Sequence, residues 1–128
     1  MDADERESLE LLVQDVIGAS YEVANALGCG FLEKVYERAL QRELKLRGRV
    51  VKTQASYSIM YKGGMVGEYF ADLVVDNRLV VELKCVEQLS KEHMAQCINY
   101  LKASGMRIAL LINFERSKVH WKRIVNNI

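Results

Sequence analysis

The chain has 128 residues, with 18 basic and 17 acidic side chains, a formal net charge of +1, and half of its residues apolar. That composition suits one soluble globular domain with a proper core, and does not by itself announce a nucleic-acid binder. Three cysteines (Cys29, Cys85 and Cys97) with no CxxC pair argue against a disulfide framework or a zinc site. They fit a reducing, cytoplasmic setting. The start is acidic (Asp2, Asp4, Glu5, Glu7, Glu10), unlike a secretory signal, and no apolar run is long enough to span a membrane.

A single domain over 1–128 is expected, with residues 1–6 disordered. Residues 7–27 repeat Leu9, Leu12, Val13, Val16, Ile17, Ser20, Tyr21, Ala24 and Leu27 at helical spacing. Gly28-Cys29-Gly30 stops that helix. A second helix is predicted from Phe31 to Arg47, burying Leu32, Val35, Tyr36, Ala39, Leu40 and Leu44. An extended stretch over 50–60 then runs into Lys62-Gly63-Gly64, a hairpin signal, and a strand follows to Val75. Residues 79–85 form the next strand. Ser90 is a good N-cap for a helix over 91–104, with Met94, Ala95, Ile98 and Leu101 inward and Gly105 at its end. Arg107 to Phe114 is almost wholly apolar. It reads as a strand buried on both faces, joining in parallel after a helical crossover. The tail 118–125 is short and amphipathic.

Three polar residues stand out within the β-rich apolar runs: Asp72, Glu82 and Lys84. Such groups are expensive to bury unless paired, hydrogen-bonded or metal-bound. If Asp76-Asn77-Arg78 is a three-residue loop, Val75 pairs with Leu79 and Asp72 falls opposite Glu82. Glu82 and Lys84, two apart, then share a face with Asp72. Opposed like charges destabilise a sheet, so a cation must offset them. Lys84 is one candidate. A divalent magnesium or manganese ion, which prefers hard oxygen ligands, is a better one. A structural ion-pair cluster is the plainer alternative.

With Asp72 and then Glu82-Leu83-Lys84 on adjacent strands, followed by a helix and a strand, the chain resembles the PD-(D/E)xK nuclease superfamily. Gly30-Phe31-Leu32-Glu33-Lys34-Val35-Tyr36 is similar to the Gly-x-x-Glu-x-x-Tyr signature of its GxxExxY family. Gln96-Cys97-Ile98-Asn99-Tyr100 is similar to the Gln-x-x-x-Tyr motif of its RecB-like branch. The resemblance runs from about Ile17 to Ile124. Ala71 stands where the superfamily name has proline, and Cys29 where the family prefers proline.

The resemblance implies an α/β, restriction-endonuclease-like core. Its mixed sheet has three antiparallel strands plus one more after a crossover helix, with helices flanking it. It implies Asp72, Glu82 and Glu33 as metal ligands, Lys84 as the group that orients water and offsets charge on the phosphate, and Gln96 and Tyr100 as substrate-binding or supporting residues. Tyr36 reads as an aromatic at the core edge whose hydroxyl finds a polar partner. His93 could touch a phosphate or move a proton, or simply face solvent. Trp121 could stack on a base or pack over the core. Basic residues gather at Arg42, Lys45, Arg47, Arg49 and Lys52, and at Lys118, Lys122 and Arg123, where a phosphate backbone could run. The expected function is a magnesium- or manganese-dependent nuclease acting on DNA. Two rivals are a silent nucleic-acid-binding domain of the same fold and a protein-interaction module with a structural acidic cluster. A homodimer would let so small a nuclease act on two strands.

Overall fold

The computed structural model describes residues 1–115 and 118–126. Helix α1 runs from Ala3 to Leu27. It begins inside the segment expected to be disordered, for two local reasons. The Asp2 side chain caps it by accepting from the Glu5 amide at 2.8 Å. Arg78 then ties down its first turns by donating to the Ser8 hydroxyl and the Glu5 carbonyl. Its buried stripe takes Ala19 and Val23, whereas Tyr21 and Leu27 face outward.

Helix α2 spans Glu33–Leu46 and is shorter than its apolar content suggests. Phe31 and Leu32 precede it, and Leu32 and Val35 are exposed rather than part of the stripe. Strands β1 (Val51–Tyr61) and β2 (Gly64–Val75) form a long hairpin closed by Lys62 and Gly63, both at positive φ. Strand β3 is Leu79–Lys84 and helix α3 is Lys91–Ser104, capped by Ser90 and ended by a left-handed Gly105. Strand β4 is Ile108–Asn113, parallel to β3 after the α3 crossover.

The amphipathic tail is a strand: β5, His120–Val125, lies antiparallel to β4 and completes a five-stranded sheet in the order β1-β2-β3-β4-β5. The mixed sheet and crossover helix otherwise match the expected core. One face carries α1 and α2 over a cluster that includes Leu12, Val16, Leu40, Leu73, Val81 and Leu110. The other carries α3 over a smaller cluster with Ala71, Val80, Cys97, Tyr100 and Leu111. Helix α3 is turned away from the predicted stripe. Cys97, Tyr100 and Leu101 are buried, while Ile98 is exposed. The rotation aims Tyr100 at the sheet.

A candidate catalytic site where two strands part

The register between β2 and β3 follows from their turn. Asp76 and Asn77 both adopt left-handed φ (52° and 55°), and the Arg78 amide donates to the Val75 carbonyl at 3.0 Å. The loop is therefore three residues long, Val75 faces Leu79, and the ladder runs through Val74–Val80 to Leu73–Val81. The next pair is Asp72 and Glu82, and there backbone pairing gives way to side chains. The Asp72 amide donates to Glu82 Oε1 at 3.1 Å, and the Leu83 amide donates to Asp72 Oδ2 at 2.9 Å. Each carboxylate closes the partner strand's open backbone.

Where β2 and β3 part, β1 and β2 both change phase. Leu73 and Val75 pack on the α1 side, but Ala71 and Tyr69, also odd-numbered, pack on the α3 side. On β1, Val51 packs on the α1 side and Ala55 and Tyr57 on the α3 side. A regular strand keeps residues two apart on one face. The break on β1 falls at Gln54, a non-glycine residue at φ 49°. It lies between the Thr53–Leu73 and Ala55–Ala71 pairs, facing Asp72. Its amide donates to Glu37 Oε1 at 3.1 Å, and Glu37 also receives Lys34 Nζ at 2.8 Å.

The electrostatics of the pair are unusual. Glu82 is 2% exposed. Burial, and then the neighbouring Asp72 carboxylate, push its pKa up to about 8, against the opposing pull of the Asp72 amide and Lys84. Glu33, in the first turn of α2, is exposed at the mouth. Desolvation of its inner side raises its pKa, Lys84 opposes the shift, and Asp72 adds to it. Asp72, Glu82, Lys84 and Glu33 are thus brought within electrostatic range of one another. They do not form a closed cage: among the described residues, no three Asp, Glu, His or Cys side chains converge as a ready metal-binding group. The donor set still suits a hard divalent cation, since the half-buried Asp72 carboxyl and the buried Glu82 carboxyl lie side by side and each offers hard oxygen ligands.

Helix α3 covers this pair. Burial, then Glu82 and Asp72, raise the Tyr100 pKa, and its ring meets Tyr69 edge-on at 5.5 Å. Cys97 lies beside it, its thiol pushed up to about 12 chiefly by burial and by Glu82, which makes it inert packing rather than a nucleophile. Gln96 is half-buried on the same helix. Two other candidates have structural duties. His93 Nδ1 accepts from the Ser90 amide while its own amide donates to Ser90 Oγ, so it completes the α3 capping box. Tyr36 is buried, donates to the Gly28 carbonyl at 2.6 Å and stacks on Phe114 at 4.8 Å, which fastens the turn before Glu33. Trp121 packs against the α1-side core. Two members of the basic cluster near α2 are consumed internally: Arg47 pairs with Asp15 and Glu43, and Arg49 with Asp15 and Asp76.

Sequence reasoning missed Gln54, Glu37 and Asn113. Asn113 is 3% exposed, a polar residue ending an apolar strand, which was the available signal. Its amide clamps Val86 in both directions, at 3.1 and 2.8 Å, and so fixes the chain just after Lys84. Gln54 gave no signal at all. A cavity of about 650 Å³ opens at the other end of the sheet, around Ser8, Asn77, Arg78 and Met106, away from the acid pair.

A family model described as the PD-(D/E)XK nuclease superfamily matches residues 10–124. Two solved structures share the fold. One is that of SSO0001, with TM-score 0.59, 16% identity, and coverage of 74% of this chain and 50% of that one. The other is an alkaline exonuclease, LHK-Exo, from Laribacter hongkongensis, with TM-score 0.55, 14% identity, and coverage of 73% and 56%. The chain therefore spans about half the length of these structures. A comparison with curated proteins found no match. None of the described helices is long and apolar enough to cross a membrane.

Proposed function

This chain belongs to the PD-(D/E)XK nuclease superfamily, and from that premise we propose that it hydrolyses phosphodiester bonds in DNA with the help of magnesium or manganese. The observation that carries the reading is the Asp72–Glu82 pair. A buried Glu82 and a half-buried Asp72 meet at the carboxyl end of β3, next to a parallel crossover, where α/β sheets place their ligands. Asp72 and Glu82 would hold the ion, with Glu33 completing the oxygen set from α2. Bound there, the ion would supply Lewis acidity to the phosphodiester and acidify the attacking water. Lys84 would orient that water and offset charge growing on the phosphate. Tyr100 and Gln96 would steady the substrate or the lysine from α3.

Within the superfamily we place the chain in the GxxExxY family and the RecB-like branch. The supporting geometry is that Glu33 and Tyr100, from the two short motifs, both couple electrostatically to the acid pair. Tyr36 acts by holding the Gly28–Phe31 turn that sets Glu33 in place.

The test is cleavage of labelled single-stranded, duplex and branched DNA with manganese, magnesium or chelator. Wild type cleaves at least one substrate, and Lys84→Ala slows it by about 10²–10³-fold, as for loss of one charge-stabilising group. Manganese raises the melting temperature of wild type but not of Glu82→Gln. A manganese shift without cleavage on any substrate would favour a silent binding domain. No shift and no cleavage would leave an interaction module with a structural acid pair.

A further inference from the structure

Strand β5 turns two basic side chains onto the same side of the sheet as the acid pair. Trp121 packs on the α1 side and Ile124 on the α3 side. His120 and Lys122, in phase with Ile124, therefore lie on the α3 side. The register sets them in rows with the site: Lys84, Asn113 and His120 form one, and Glu82, Leu111 and Lys122 the next. Adjacent strands are about 4.8 Å apart, so β5 lies about 10 Å from β3 across the sheet.

A groove of about 420 Å³ runs between these two residues and the segment after β3, lined by Glu87, Gln88, Leu89, Asn113, His120 and Lys122. It is a built feature, because the Asn113 amide bonds the Val86 backbone in both directions and fixes the groove wall. Its cation is also uncommitted. Arg123, on the other face, is spent on Glu10 at 2.7 Å, and Arg47 and Arg49 are spent on Asp15, Glu43 and Asp76. Among the described residues, no carboxylate pairs with Lys122 or His120. Glu87, on the opposite wall, is engaged in an interaction of its own.

We propose that this groove is a phosphate-binding subsite in which Lys122, with His120 beside it, holds the DNA backbone to one side of the scissile bond. The inference rests on the proposed nuclease function and adds where the strand leaves the site. These are positioning contacts that carry no sequence information.

The experiment is fluorescence anisotropy of a fluorescein-labelled 20-nucleotide DNA, single-stranded and duplex, with the full chain across a salt series. Cleavage kinetics with manganese run in parallel. Lys122→Ala is expected to weaken binding several-fold, reduce the salt slope by about one, and raise KM with little change in kcat. Lys122→Arg restores both. Arg6→Ala, an exposed arginine on α1 across the sheet from the groove, leaves both unchanged. All three variants keep the wild-type melting temperature and manganese shift. If wild type binds and cleaves DNA but Lys122→Ala has an unaltered slope and KM, the subsite is overturned while the nuclease reading stands. If wild type neither binds nor cleaves, both fall.

Discussion

Two charged clusters lie close together on β2 and its turn, and they are assembled on opposite principles. Around Asp15 and Asp76, every carboxylate meets a guanidinium: Arg49 spans the two acids at 2.9 and 3.0 Å, and Arg47 adds a third contact at 2.8 Å. Burial alone would raise the Asp15 pKa, but the bonds from Arg47 and Arg49 bring it below its ordinary value. Around Asp72, acid faces acid, no guanidinium enters, and Glu82 is driven up to about 8. The first cluster is complete as it stands. The second has Lys84 alone to oppose its acids, and perturbation of that kind marks a candidate for chemistry.

The sharpest way to test the contrast is pH. Glu82 has a folded pKa above its unfolded one, so the native state holds an extra proton between about 4.5 and about 8. The metal-free protein should therefore lose stability as pH rises through that window. Asp15 is depressed, so its contribution is present above its unfolded pKa and lost as pH falls through the lower folded value. Urea unfolding in chelator at several pH values should show two limbs. Glu82→Gln flattens the alkaline one and Asp15→Asn the acid one. An alkaline limb that survives Glu82→Gln would break the comparison. Manganese must displace the Glu82 proton, so its affinity should climb across the same range.

A smaller effect should come from the mouth of the site. Glu33→Gln is expected to weaken manganese binding by about tenfold, the scale for loss of a peripheral partner, and calorimetry would measure it. Abolition of binding would make Glu33 an equal of Asp72 and Glu82, and no change would remove it from the ion's surroundings. Smallest of all, Asp15→Asn at neutral pH should cost no more than about 1 kcal/mol, discounted because its partners are about a quarter to a third exposed, and the cost should shrink in high salt. DNA cleavage should be unaffected.

The acid pair was legible in the sequence because a turn counts residues. Asp76-Asn77-Arg78 accommodates left-handed backbone, and a three-residue loop fixes which side chains face each other. The α3 boundaries were legible from Ser90 and Gly105, but its orientation was not. Hydropathy chose Ala95 and Ile98 for the interior beside Met94 and Leu101, but both are exposed, and Tyr100 is buried instead with Tyr69 against its ring. Strand β5 was hidden because Lys122 and Arg123 interrupt its apolar pattern, each serving a different face. The phase change at Gln54 was beyond reach. It coincides with two strands separating, and no residue type announces that.

The hairpin of β1 and β2 outgrows its neighbours. Among the described residues, no third strand and no helix packs on it beyond Tyr57 and Tyr69, and Met60, Tyr61, Met65 and Val66 are exposed near its tip. A ribbon of two strands on its own is only marginally stable. Amides near Lys62 should therefore trade hydrogen for deuterium through frequent small openings, while those of Val74, Val80 and Leu110 wait for the whole molecule to unfold. Exchange of that kind would divide the protein into two cooperative units that meet at Asp72, with the proposed metal site on the seam between them.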